Sequence, residues 1–143
     1  MFVGYLLAFG SARASLGLEP ANKYLSRTLD AYDAEAHANK HLPASAKIVL
    51  FDEVRGFYLD REYMWGNPGH HEMTPWSSFK TGADMVGYFR RMGFTHALIN
   101  WRLAKYSGND LLHGTLIPES IHRGLMQKIY SSNDVSIYEL ANE

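Results

Sequence analysis

The spacing of apolar positions along the chain predicts three amphipathic helices. Apolar residues recur three or four positions apart over 21–41 and 81–92, which is typical of helices that bury one face. Pro43 ends the first helix, because the residue before a proline is pushed away from helical angles. Thr81 and Asp84 have the spacing of a capping box at the start of the second. A third helix is predicted over about 118–129, with its inward face formed by Ile121, Leu125, Met126 and Ile129.

Continuous apolar runs predict the strands of a sheet that is covered on both faces. The run over 46–51 is continuously apolar after Lys47, which favours a parallel strand buried on both sides, and a second core strand is predicted over 94–101. Shorter strands are predicted over 62–65 and 135–140. Because helices and strands alternate, the sequence predicts a three-layer α/β fold with a mostly parallel sheet of about four strands, similar to a Rossmann fold but without its nucleotide fingerprint. The segments near positions 48, 97 and 137 are expected to lie side by side and run the same way.

The start of the chain differs in composition from the rest. Residues 1–10 form an apolar run with no basic flank before it, and residues 10–20 are small and flexible, as in a linker. Three interpretations of the apolar run remain open: a buried element of the domain, the end of a membrane helix, or an atypical signal sequence. Residues 1–20 are therefore treated as an N-terminal segment and linker, and residues 21–143 as a single α/β domain.

Composition narrows the classes of function. The 143 residues are 46% hydrophobic and 20% charged, as in an ordinary globular domain, and the net charge of −1 gives no sign of nucleic-acid binding. The absence of cysteine excludes disulfides, thiolate metal sites and a cysteine nucleophile. Aromatic residues make up 13% of the chain, and half-buried tyrosine and tryptophan suit interfaces and pocket walls.

Charged residues follow the first core strand directly. Asp52, Glu53 and Arg55 stand where open α/β sheets gather binding groups, ahead of a predicted short helical turn over 53–59. Carboxylates there could bind a ribose, a sugar hydroxyl or a metal, and arginine could clamp a phosphate. The alternative is a structural ion pair between Glu53 and Arg55 that caps the turn. No Gly-rich nucleotide motif and no Walker sequence is present.

Histidines offer a second candidate site. His70 and His71 resemble a metal-ligand pair, but adjacent side chains in an extended loop point in opposite directions. Zinc would need a further ligand from His41, His113 or a carboxylate. The alternative is an exposed pair of loop residues. His96 lies within a core strand, where a packing role is favoured over catalysis.

Several segments together resemble a known family. They are a helix that contains Tyr-Asp-Ala at 32–34 and ends in His-Leu-Pro at 41–43, the strand Lys-Ile-Val-Leu-Phe at 47–51, the segment Glu-Val-Arg-Gly-Phe-Tyr-Leu-Asp-Arg at 53–61, and Gly-Phe-Thr-His-Ala-Leu-Ile-Asn at 93–100. This pattern resembles the soluble C-terminal domain of bacterial GT-C class membrane glycosyltransferases, which are similar to dolichyl-phosphate-mannose–protein mannosyltransferases. The resemblance covers about four-fifths of the chain, from about position 24 to about position 140.

The resemblance implies an accessory domain on the extracytoplasmic (periplasmic) face of the membrane, after the last membrane helix. The expected partners are the membrane-embedded part of the same enzyme and a sugar or glycan acceptor, with no nucleic acid. The donor of the whole enzyme would be a polyprenyl-phosphate sugar, and this chain would carry neither a cofactor nor the catalytic acid. Glu53, Arg55, Tyr58 and Arg61 match the family's strand-to-turn segment and are expected to face the acceptor or the membrane part.

Two other functions stay open. The chain could be a free-standing small α/β domain that binds a sugar or a nucleotide through the segment 52–61. It could also be a small metal-assisted hydrolase that uses His70, His71 and nearby carboxylates.

Overall fold

The computed structural model of the chain describes residues 12, 14–69, 72–105 and 113–142. The helices are α1 (Ala21–Thr28), α2 (Tyr32–His41), α3 (Gly82–Arg91), α4 (Trp101–Ala104) and α5 (His113–His122). The strands are β1 (Lys47–Phe51), β2 (Glu62–Trp65), β3 (His96–Asn100), β4 (Met126–Ser132) and β5 (Val135–Leu140), and a 3₁₀ turn spans Trp76–Ser78. The N-terminal apolar run at 1–10 lies outside the described residues.

The sheet has five strands in the order β2-β1-β3-β5-β4 and is mixed. β1 is parallel to β2 and β3, as predicted, but β5 runs antiparallel to both β3 and β4. The prediction of a mostly parallel sheet of about four strands is therefore wrong, and so is the expectation that the segment near 137 runs with those near 48 and 97. The reason is a hairpin: Asn133 and Asp134, with φ of 51° and 61°, form a two-residue turn that reverses the chain.

The strand β4 replaces the second half of the predicted third helix. The α5 helix ends at His122, and Gly124 follows with a φ of 72°, a backbone conformation that stops a helix at little cost only in glycine. Met126 is then buried while Ile129 is 39% exposed, so the two do not share an inward helical face. The first predicted helix is also divided, because Leu29 is extended and separates α1 from α2.

Helices cover both faces of the sheet and give the predicted three layers. On one face, Ala34 and Ala38 of α2 pack with a cluster of buried strand residues, namely Ile48, Leu50, Leu98, Val135 and Ile137. On the other face, α3 and α5 pack against the alternate strand positions, and Phe51 meets Phe89 edge to face with ring centroids 5.7 Å apart. The capping box at Thr81 and Asp84 is confirmed. Within the described ranges, no helix is both long and apolar enough to cross a membrane.

Candidate functional site

The chain turns sharply where β1 ends. Asp52 is buried and has a φ of 52°, which is unusual for a residue other than glycine and is better tolerated by aspartate. Asn67 holds this turn from the next loop: its Oδ1 accepts from the Asp52 backbone N–H at 2.6 Å, and its Nδ2 donates to Asp52 Oδ1 at 2.8 Å. Asp52 therefore helps to fix the direction in which the following segment leaves the sheet.

Glu53 lies at the centre of a dense hydrogen-bond network. Its side chain has 0% exposure, and its Oε1 accepts from the backbone N–H groups of Val54 and Arg55 and from Arg55 Nε at 3.0, 2.9 and 2.8 Å. Its Oε2 accepts from Arg55 Nη2 and Asn100 Nδ2, each at 2.8 Å. Burial opposes ionisation of Glu53, but the hydrogen bonds from Arg55 and Asn100 outweigh it and lower the pKa of this carboxyl.

Because these five donors already bond the carboxylate oxygens of Glu53, its role is structural and it has little capacity left to bind a ligand. Asn100, fully buried at the end of β3, links it to the neighbouring strand and also accepts the backbone N–H of Leu103 at the start of α4. The predicted helical turn over 53–59 does not form, since the Glu53 carboxylate already holds the N–H groups of Val54 and Arg55.

Two further side chains clamp the segment that follows. Asn39 of α2 donates to the Tyr58 carbonyl at 2.6 Å and accepts from the Asp60 N–H at 2.8 Å. Arg61 donates to the carbonyls of Asn39, Leu42 and Pro43 at 2.8–2.9 Å, where α2 ends and its carbonyls lack helical partners. Arg61 thus binds the chain's own backbone in this structure.

Between these clamps, Tyr58 and Arg55 line a cavity together with one further carboxyl group. Glu35 of α2 is 2% exposed, and its Oε1 has no hydrogen-bond partner among the described residues. Burial and the negative charge of Glu53 raise the pKa of Glu35 to about 7, against the opposing influence of the Tyr58 N–H and Arg55. Glu35 can therefore either donate or accept a hydrogen bond near neutral pH.

The outer side of the same segment exposes apolar side chains. Phe57 is 81% exposed. The segment also contacts the edge strand β2, because the Tyr63 ring lies against Gly56 and Trp65 Nε1 donates to the Val54 carbonyl at 3.2 Å. We call this surface the aromatic edge. It comprises Val54, Phe57, Tyr58, Tyr63 and Trp65, which are 36–81% exposed.

The histidine prediction is left untested. His70 and His71 lie outside the described residues, as does the side chain of His113. His41 stacks on His37 with ring centroids 4.3 Å apart. In the part of the chain that the structure describes, no group of three or more histidine and carboxylate side chains is placed to hold a metal ion.

Of the predicted residues, Arg55 and Tyr58 line the cavity, whereas Asp52, Glu53 and Arg61 make structural hydrogen bonds around it. Sequence reasoning missed three residues: Glu35, Asn39 and Asn67. The signal for Glu35 was its position in a run of alanines, since Ala34 and Ala38 mark the face that α2 buries. Ala36, on the opposite side of α2, is exposed.

Comparison of the chain with models of known protein families, with curated proteins and with solved structures gives no match.

Proposed function

We propose that the chain is the accessory domain of a membrane glycosyltransferase that uses a polyprenyl-phosphate sugar. In this proposal the domain lies on the extracytoplasmic face and contacts the membrane-embedded part of the same enzyme, which carries the catalytic acid. The resemblance over the segments at 47–61 and 93–100 supports this assignment.

The single observation that carries the proposal is the construction of the segment 53–61. Glu53 and Asn39 hold its backbone, and Arg61 fastens its end to the backbone of α2, while Phe57 between them remains 81% exposed. A loop that is rigid at its base and apolar at its tip loses little conformational entropy when it docks. Its function is therefore to present the aromatic edge to another surface.

The composition of the aromatic edge favours a partner at the membrane boundary. Tyrosine and tryptophan place an apolar ring beside a polar group, which suits the level of lipid head groups and protein interfaces close to them. The five side chains lie on one edge strand and its adjoining loop, so one flat partner surface could cover all of them.

Fractionation of the source cells tests the assignment. An antiserum raised against this chain is expected to detect a polypeptide much longer than 143 residues in membranes, resistant to extraction with alkaline carbonate. A water-soluble polypeptide of this length would contradict the proposal.

Substitution of the loop tip tests its role. In the membrane-bound enzyme, Phe57→Ser is expected to reduce sugar transfer at least tenfold while the isolated chain keeps its melting temperature. Ile129→Ser is the matched control, because Ile129 is an exposed apolar residue on the opposite edge strand, and it should leave transfer unchanged. Equal activity of the two variants would remove the docking role of the aromatic edge.

A free-standing sugar-binding domain is the second candidate function, and the cavity beside Glu35 favours it. A soluble polypeptide of this length in the fractionation experiment, together with sugar binding by the purified chain, would decide for this alternative.

A further inference from the structure

The cavity between α2 and the clamped segment has the size of a single six-membered ring. Its volume is about 140 Å³. An engineered protein cavity of ~150 Å³ holds one benzene molecule, so this space takes one side of a sugar ring, with the remaining ring atoms and hydroxyl groups in solvent. The lining residues are Leu29, Ala31, Tyr32, Glu35, Arg55, Phe57 and Tyr58.

Glu35 supplies the polar group of the cavity. Its Oε1 is buried and has no hydrogen-bond partner in the described chain, although buried polar atoms are nearly always paired. A ligand hydroxyl could donate to this oxygen, or accept from it when the carboxyl is protonated.

Aromatic rings supply the apolar wall. Tyr32 and Tyr58 meet edge to face with ring centroids 5.3 Å apart, and Phe57 extends from the same segment into solvent. The C–H face of a pyranose is apolar while its rim carries hydroxyl groups, so aromatic side chains beside one well-placed polar group match both parts of a sugar.

The charges around the cavity favour a neutral ligand. Arg55 lines the cavity, but its charge is paired with that of Glu53 at 2.8 Å, so the two largely cancel and neither a cation nor an anion gains much by entering. Arg55 is also held by Glu53 through two side-chain hydrogen bonds of 2.8 Å, which leaves it poorly placed to clamp an anion.

We propose that this cavity binds one neutral sugar residue, with Glu35 bonded to a ring hydroxyl and the rings of Tyr32 and Tyr58 against its apolar face. The inference deepens the proposed function and rests on it for one point, namely that the bound sugar belongs to the acceptor glycan. The binding itself is a property of this chain alone.

Nuclear magnetic resonance titration of the ¹⁵N-labelled 143-residue chain tests the proposal. The probes are the methyl glycosides of glucose, mannose and galactose, with glucosamine and glucuronate as cationic and anionic counterparts. At least one neutral glycoside is expected to shift the amide signals of Glu35, Arg55 and Tyr58, with a dissociation constant of order 1 mM, and both charged sugars should bind at least tenfold more weakly.

Variants identify the polar contact. Glu35→Leu should weaken sugar binding at least tenfold. Glu35→Gln keeps a hydrogen-bonding oxygen and should therefore lose much less affinity. Glu139→Leu is the matched control, because Glu139 is exposed on β5 and does not line the cavity, and it should bind as the unsubstituted chain does. Burial of a carboxyl is unfavourable, so neither change at Glu35 is expected to unfold the chain.

Absence of shifts with every neutral sugar, or shifts that persist unchanged in Glu35→Leu, would overturn the inference. Failure of the proposed function is recognised separately. Sugar binding by a chain that fractionates as a short soluble protein would uphold the cavity and contradict the membrane assignment. A membrane-bound enzyme whose domain binds no sugar would uphold the membrane assignment and contradict the inference about the cavity.

Discussion

Asn100 donates a 2.8 Å hydrogen bond to Glu53, and this bond joins the ends of two neighbouring strands. The whole of Asn100 and the side chain of Glu53 are each 0% exposed. The amide is neutral, so it supports the carboxylate without adding a charge. The two residues therefore fix the origin of the clamped segment relative to β3.

Asn100→Asp is expected to destabilise the fold strongly, because it places a second carboxylate beside the buried Glu53. We expect a loss of about 2–4 kcal/mol in the free energy of unfolding at pH 8, measured by urea denaturation with circular dichroism. Asn100→Ala removes the hydrogen bonds without adding charge and should lose less. A larger loss in the alanine variant would show that repulsion is unimportant here.

Arg55→Ala should leave Glu53 without its charge partner. We expect a loss of about 2 kcal/mol at pH 7, below the ~3–5 kcal/mol typical of fully buried pairs, because the Arg55 side chain is 34% exposed. The pKa of Glu53 is lowered below 4.5 in the fold, so the pair stabilises above pH 4.5 and its contribution is lost as the pH falls through the folded pKa. The deficit of the variant should therefore shrink in acid.

The matched control for that variant is Arg27→Ala. Arg27 is 58% exposed and pairs with Glu19 at 3.2 Å, and such exposed pairs contribute about 0–1 kcal/mol. A loss as large as that of Arg55→Ala would contradict the importance of burial.

Glu35→Gln should stabilise the chain above neutral pH. Between pH 4.5 and about 7 the unfolded chain releases the Glu35 proton while the folded chain keeps it, so the stability of the natural chain falls as the pH rises through this window. Glutamine does not ionise, so the variant should have a free energy of unfolding up to about 3 kcal/mol above that of the natural chain at pH 8, with little difference at pH 4.5. Thermal denaturation of both chains at several pH values measures the difference, and an unchanged difference from pH 4.5 to 8 would refute it.

Two glycines are expected to respond differently to alanine. A Cβ at Gly82 would lie 2.9 Å from the Leu116 carbonyl and 3.0 Å from the Ser120 nitrogen, and the backbone of α5 cannot move away easily. Gly82→Ala should cost about 1–3 kcal/mol. A Cβ at Gly56 would instead meet the Tyr63 ring at 2.5 Å, and that side chain is partly exposed and can rotate. Gly56→Ala should change stability less, but displace Tyr63 from the aromatic edge, as a shift in tyrosine fluorescence.

Local signals in the sequence predicted the elements that depend on local chemistry. The capping box of Thr81 and Asp84 requires only neighbouring residues, and it is formed as predicted. The strand β1 was predictable because the uninterrupted apolar run at 48–51 is typical of a strand buried on both faces, and β3 was predictable from its apolar centre at 97–99. The pairing of these two strands follows from the helix between them.

Elements that depend on distant contacts were not predictable in the same way. In β4, Met126 and Ile129 fit helical spacing as well as strand spacing, and only pairing with β5 decides between them. The resulting hairpin also sets the direction of β5. Glu35 is polar, and its burial becomes apparent only when α2 lies against the segment 55–58.

The position of β5 has a consequence for how the polypeptide matures. β5 lies between β3 and β4, and both of these neighbours precede it in the chain. During synthesis the parallel strands can associate, but β4 has no place beside them until Val135–Leu140 has left the ribosome. The domain therefore completes its sheet only after that segment is available, and a chain that ends before Val135 would lack the strand that joins β3 to β4.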